Sequence, residues 1–225
     1  MRKLISIFLL SVMGFGIVIT LQNIPFGADK ARVSDYYVNK GVKETGAVNI
    51  VTAVVVNYRG FDTLGEIAVL FTGAIGLGAV LFGGKKPREK KPEPASLILR
   101  TGCKLLFPVI LLFGIYVFTH GHLTPGGGFQ GGAIIASAFL LIYLGGREMK
   151  FNKTAAKVTE SFSGLIFVIM GLLGLTSGGY FLLNFLPKGT ANTLFSAGII
   201  PIIYIVIGLK VGSELAGIIE NLIED

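Results

Sequence analysis

A chain of 225 residues that is 52% hydrophobic and only 15% charged, with a mean hydropathy of +0.73, is too apolar for a soluble globular domain. Its net charge of +7 does not imply a nucleic-acid partner, and none is expected, because the basic residues sit mainly in short segments between apolar runs, where they set membrane topology. The single cysteine, Cys103, excludes an internal disulfide, a C-x-x-C motif and an iron–sulfur cluster built by this chain alone.

Met1, Arg2 and Lys3 lead into an apolar run at residues 4–21, long enough to span a bilayer. A cleaved signal peptide would have a shorter apolar part ending at a small-x-small site. Phe26 stands where the first small residue before Ala28 would be needed, so a retained first helix is expected. Residues 23–60 form the longest polar region. Within it, residues 47–58 are apolar but too short to cross, and the pattern leaves helix and strand open. They are expected to lie at the interface or against partner helices.

Residues 61–82 form the second span. Gly65, Ala68, Thr72, Gly76 and Ala79 recur three or four apart, a spacing that places them on one face where another helix can approach closely in lipid. Glu66 lies within the first turns of this span, at the edge of that stripe, and Asp62 stands at its entrance. A membrane carboxylate is expected to face protein or a cavity rather than lipid, and such residues mark ion paths. Residues 83–95, with three prolines and alternating charges, read as a linker. The third span, 97–118, carries Arg100 and Lys104 near its start, where they snorkel, and Pro108 as an expected kink.

Residues 119–132 read T-H-G-H-L-T-P-G-G-G-F-Q-G-G and contain both histidines. Gly126, Gly128 and Gly131 formally match G-x-G-x-x-G, but the dinucleotide fingerprint needs a preceding strand, a soluble helix and a later acid, and these flanks are membrane spans. The expectation is a sharp turn at a membrane face, with glycines permitting positive φ and close backbone approach. The fourth span covers 133–144, a basic loop 145–160, the fifth span 162–183 and the sixth 194–209, with Gly198 and Pro201 as an expected kink. If the sixth helix runs on to Leu222, Lys210 and Glu214 lie near its membrane edge as an i, i+4 pair. Arg2 and Lys3, residues 83–104, residues 145–160 and Lys210 together hold 14 of the 20 basic residues, so both termini are expected in the cytoplasm.

His120 and His122, two apart, are poorly spaced to share a metal, and the chain has no other histidine. They are expected to be a solvated or hydrogen-bonded pair. No catalytic constellation, cofactor site or metal site is expected.

The 119–132 stretch, followed by an apolar helix, resembles the B subunit of Mrp-type multisubunit Na+/H+ antiporters over about residues 96–225. Residues 35–66, D-Y-Y-V-N-K-G-V-K-E-T-G-A-V-N-I-V-T-A-V-V-V-N-Y-R-G-F-D-T-L-G-E, resemble a small subunit of archaeal membrane-bound hydrogenases and a segment near the C-terminal end of the large A subunit of the antiporters. The resemblance implies an all-α integral membrane protein with about six transmembrane helices. Residues 1–84 would be the A-like segment, 85–95 the linker and 96–225 the B-like domain. It further implies a non-catalytic subunit of a Na+/H+-translocating complex in a prokaryotic cell membrane, either a free antiporter or a redox-driven respiratory complex. Its partners would be other membrane subunits, Na+, H+ and the lipid bilayer. Glu66, Asp62, His120 and His122 are the ion-path candidates. Gly126, Gly127, Gly128, Phe129, Gln130, Gly131 and Gly132 are the packing motif. The alternative is a structural docking subunit that carries no ion. An independent small-solute carrier is weaker, because the halves show no inverted repeat.

Overall fold

The computed structural model describes residues 2–23, 32–82, 95–146 and 152–224. The expected linker, apart from Ala95, lies outside the described residues, as do the region of the cleavage-site question and Arg147 and Lys150. The described chain is helical and has no strand. Residues 1–36 form one compact unit and residues 37–225 another. The first contains α1 (Arg2–Asn23), an unbroken apolar helix, and the opening turn of α2 (Arg32–Thr45). Near the C-terminal end of α1, Thr20 Oγ1 and Asn23 Nδ2 donate back to the carbonyls of Gly16 and Ile19, four residues earlier.

In the second unit, α2 ends at Thr45 and a short α3 (Ile50–Thr52) runs directly into a π-helical stretch, Ala53–Tyr58. Residues 50–58 of the apolar 47–58 segment are therefore helical, and too short to span. The wider turn leaves carbonyls displaced. Arg59 N donates to Val54 O at 2.8 Å, and the buried Thr63 donates to Val55 O at 2.8 Å. Four long helices follow, α4 (Gly60–Phe82), α5 (Leu97–Thr119), α7 (Lys153–Gly178) and α8 (Ile200–Glu224), with the shorter α6 (Gly128–Leu144) between α5 and α7. Among the described residues five helices are long and apolar enough to cross a membrane, α1, α4, α5, α7 and α8. At 17 residues α6 stands at the lower limit of a span.

Two boundaries differ from the sequence expectation. Helix α7 begins at Lys153, inside the expected basic loop, because Asn152 Oδ1 accepts from Ala155 N at 3.0 Å and caps it there. It ends at Gly178, with Gly179 in the left-handed conformation (φ 92°). Residues 180–183 and 194–199, expected to belong to the fifth and sixth spans, instead form a folded 180–199 loop with the connection between them. Leu182, Asn192, Ala197, Gly189 and Gly198 all adopt positive φ, which no α-helix tolerates. Pro201 therefore stands in the first turn of α8 rather than at a kink, where its missing N–H would be unpaired anyway. Helix α5 continues through Pro108.

Helix α8 is the centre of the second unit. It packs on α6, α7, α4, α5 and the π stretch. Some 56% of its membrane window is buried within the chain, against 11–22% for α4, α5 and α7, which leaves those three to face lipid or other proteins. Lipid tails are as apolar as leucine, so helices associate in a membrane by close packing rather than by hydrophobic burial. The glycines supply that approach. A Cβ on Gly131 would lie 2.8 Å from Gly114 O on α5. One on Gly132 would lie 2.8 Å from Val211 Cβ, 2.9 Å from Gly208 O and 2.9 Å from Gly212 N on α8. These last contacts include backbone, which cannot swing aside. Gly132→Ala is therefore expected to wedge α6 from α8 at a cost of about 1–3 kcal/mol, read as a lower thermal midpoint of the detergent-solubilised protein. An unchanged midpoint would show that the close approach is not needed.

Candidate functional site

The turn between α5 and α6 cannot satisfy its own backbone, and the N-terminal part of the unit does so. Asn49 caps α3 by accepting from Val51 N at 3.1 Å, while its Nδ2 donates to the carbonyls of Gly121 (2.9 Å) and Thr124 (3.0 Å). Its backbone N–H donates to His122 O at 3.1 Å. Tyr204 on α8 donates to Thr52 Oγ1 at 2.9 Å, and Thr52 donates onward to Gly121 O at 2.6 Å. A second asparagine, Asn184, donates to Thr45 O and Ala197 O and accepts from Ile199 N at 3.0 Å, joining the end of α2 to the start of α8. The 119–127 turn, the 45–52 segment and the 180–199 loop thus meet at one end of the bundle.

The motif glycines serve approach, not unusual φ. None of the glycines from 121 to 132 is left-handed, as was expected of this turn, and Gly127 is extended (φ 160°). A Cβ on Gly126 would lie 2.8 Å from Val117 O, one on Gly127 2.7 Å from Gln130 Oε1, and one on Gly128 2.6 Å from Ile207 Cβ and 2.9 Å from Tyr204 O. Phe129 is half-buried against the α8 core, and Gln130 is exposed.

The histidines are not a pair. His120 ends α5, with its ring stacked on Tyr116 at 4.3 Å and Nδ1 3.0 Å from Thr119 Oγ1. His122 is completely buried, and neither ring nitrogen has a hydrogen-bond partner, contrary to the expected solvated or bonded pair. The turn carries it under the 180–199 loop, where the backbone of Thr193 and Leu194 lies beside the ring. Burial lowers its pKa below the ordinary 6.5. The neighbouring backbone pulls the other way, and His120 adds a smaller lowering.

Glu66 is exposed on the surface of the chain, on the seventh residue of α4. Gly65 and Gly76 of the small-residue stripe, and Gly73 on the same helix, have open space where a side chain would stand, so no described residue of this chain packs against them. Asp62 is instead paired with Arg59 at the entrance to α4.

A second polar cluster lies deeper, around Lys210 and Glu214. They form the expected i, i+4 pair, away from both ends of α8. With α8 starting at Ile200, Lys210 lies ten residues along, about 15 Å into the helix. Lys210 is 6% exposed and Glu214 3%. Lys210 Nζ is 3.0 Å from Glu214 Oε2, 3.7 Å from Glu160 Oε1 on α7 and 5.3 Å from the centre of the Phe71 ring on α4. Two turns further on, Glu220 is buried 3.8 Å from Lys153 Nζ. The one signal for this cluster in the sequence is the i, i+4 spacing of Lys210 and Glu214. Glu160 is hidden there because its stretch reads as loop. Among the described residues no three His, Cys, Asp or Glu side chains gather as a metal site would require.

An all-helical, multi-pass membrane protein with glycine-packed helices is the class these features define. The family described as a domain related to the MnhB subunit of Na+/H+ antiporters matches residues 98–217, and the family described as the E subunit of MBH matches residues 1–95. The chain belongs to the MnhB-related family. It is similar to an uncharacterized protein of Methanocaldococcus jannaschii, 35% identical over 197 residues, which cover 76% of this chain and 74% of that protein. It is 28% identical over 170 residues to the A/B subunit of a probable K+/H+ antiporter of Rhizobium meliloti, but spans only 17% of that protein's length. Its fold matches a chain of the membrane-bound sulfane sulfur reductase, an archaeal respiratory membrane complex, with a TM-score of 0.80, 48% identity, and coverage of 100% of this chain and 99% of that one. It also matches a chain of the Mrp complex of Dietzia sp., with a TM-score of 0.74, 25% identity, and coverage of 98% and 26%.

The sign of the His122 shift gives a test. Its folded pKa lies below the unfolded 6.5, so the stability it contributes is full above pH 6.5 and is lost as the pH falls through the folded value. Hydrogen exchange in residues 119–128 of the purified protein, corrected for intrinsic rates, is expected to quicken on acidification in the wild type and not in His122→Leu. The same quickening in both would remove His122 as the cause.

Proposed function

We propose that this chain is a non-catalytic membrane subunit of a multisubunit Na+/H+-translocating complex in a prokaryotic cell membrane, and that Glu66 lies on the ion path. The observation that carries this is the placement of Glu66. A carboxylate at membrane depth, exposed on the chain's own surface beside an unused glycine stripe, is tolerated only where another protein or a cavity covers it. The stripe allows a partner helix to come close there, so the partner and this chain would together enclose the acid. The near-complete match to the sulfane sulfur reductase chain, against 26% of the Mrp chain, favours a redox-driven respiratory complex over a free antiporter as the parent. In this reading residues 1–84 and 96–225 are two pieces of one ion-translocating module joined in a single chain. The structural alternative draws on the hydrogen-bonded 119–127 turn, which is built to hold helices rather than to move charge.

Glu66→Gln separates the two. In inverted vesicles, sodium-dependent ΔpH formation is expected to be lost while a blot shows the complex at normal level, and Glu66→Asp is expected to retain part of it. Wild-type coupling in an assembled Glu66→Gln complex would leave the structural reading standing.

Orientation belongs to the same proposal. Both termini are cytoplasmic, and the end bearing the 119–127 turn faces outward. In a Cys103→Ser background on intact cells, a membrane-impermeant thiol reagent is expected to label Ala191→Cys, in the 180–199 loop, and to reach Thr154→Cys only after permeabilisation. The opposite pattern would invert the topology.

A further inference from the structure

We propose that Glu214, held by Lys210 beside Glu160, is a proton-exchange site reached through the cavity between α4, α7 and α8. This rests on the reading of the chain as part of an ion-translocating complex. The cavity measures about 340 Å3 and is lined by Glu160, Glu214, Glu220, Lys153 and Lys157, with Phe71 closing it on the α4 side. That is room for several waters, with polar partners to hold them. It runs from the level of Phe71 to the end of the bundle where Lys153 is 46% exposed, the cytoplasmic end in the proposed orientation.

Charge balance identifies the ligand. Glu160 and Glu214 both face the Lys210 ammonium, and Glu220 faces Lys153. Lys157 also lines the cavity but is solvent-exposed, and the α4 residues lining it, Phe71, Ala74 and Ile75, carry no charge. When all groups are ionised, the Lys210 centre therefore has two carboxylates for one ammonium. A net buried charge at this depth is unfavourable, and one proton removes it. The open position is on Glu214. Its Oε2 accepts from Lys210, while its buried Oε1 has no hydrogen-bond partner. A sodium ion would have to displace the ammonium that already lies between the carboxylates. A proton needs only the free Oε1. The step forms an O–H bond on Glu214 at the expense of a hydronium in the cavity, leaving water, and requires no other reactant.

The test uses the intact complex. Infrared difference spectra across a pH titration are expected to show a protonated carboxylic acid band in the wild type, absent in Glu214→Gln and retained in Glu66→Gln. Gly217 also lines the cavity and has no atom within 4 Å of an added Cβ, so Gly217→Phe fills the space while keeping every charge. It is expected to slow deuterium exchange of the band. Both Glu214→Gln and Gly217→Phe are expected to lose ΔpH formation in inverted vesicles. Persistence of the band in Glu214→Gln, or wild-type ΔpH formation in either assembled variant, would overturn the site. If Glu214→Gln does not assemble, Gly217→Phe decides alone. Absence of ΔpH formation in the wild type would instead count against the ion-translocating reading, and the infrared result would still decide whether Glu214 binds a proton.

Discussion

The hydrogen bonds that Asn49 and Thr52 make to the α5–α6 turn are the constraint on which the second unit depends. A turn at a membrane face leaves carbonyls that lipid cannot satisfy, and each one left unpaired is costly. Gly121 and Thr124 point theirs at Asn49, Gly121 also receives Thr52, and Tyr204 on the central helix backs Thr52. Asn49 uses both ends of its amide and its own N–H in this arrangement. The consequence is that residues 46–58 are not an appendage of α4. They complete the backbone of a turn more than 60 residues later in the chain, which ties the segment before the linker to the helices after it.

Once the turn is fixed, the glycines decide how close the helices come. Gly114 against Gly131, and Gly132 against Gly208 and Gly212, bring α5, α6 and α8 within backbone contact. That contact replaces the hydrophobic driving force that a bilayer does not provide. Glycines 65, 73 and 76 on α4 have similar spacing but face open space. The same residue type thus marks an interface used within the chain on α6 and an interface left for another chain on α4. Only the structure separates them.

What was legible in the sequence follows from range. Apolar run length located the helices that are long and apolar enough to cross, because bilayer thickness imposes that length residue by residue. The fold class and the family resemblance followed from those runs and from the 119–132 motif. Boundaries failed where local chemistry opposed composition. Phe181, Leu182, Leu183, Leu194 and Phe195 look like span residues, yet positive φ at Leu182, Asn192 and Ala197 keeps their stretch out of a helix. No residue type announces that conformation at a leucine. Lys153, Lys157 and Glu160 look like loop, yet the Asn152 cap starts a helix there. This one error hid Glu160, and with it the cluster around Lys210, whose members come from two helices. His122 was misplaced for the same reason, since what buries it is a loop about 70 residues away in the chain.

The two polar levels do not communicate through this chain's core. Along α8, Tyr204 and Lys210 are six residues apart, about 9 Å, and between them Val206 and Ile207 are buried. Ile67 on α4 and Phe167 on α7 belong to the same apolar core as Ile203 and Ile207. A proton does not cross such a layer without water or a titratable side chain to carry it. Glu66, near the N-terminal end of α4, and Glu214, in the C-terminal half of α8, are thus separated by packed aliphatic and aromatic side chains. Glu66 faces away from that core. An ion that reaches Glu66 must arrive along the α4 surface, and a proton that reaches Glu214 must arrive through the cavity. If both sites serve one transport cycle, the groups that join them belong to the partner seated on α4. On the proposed reading, the apolar layer between the two sites would keep an ion at one from leaking through this chain to the other.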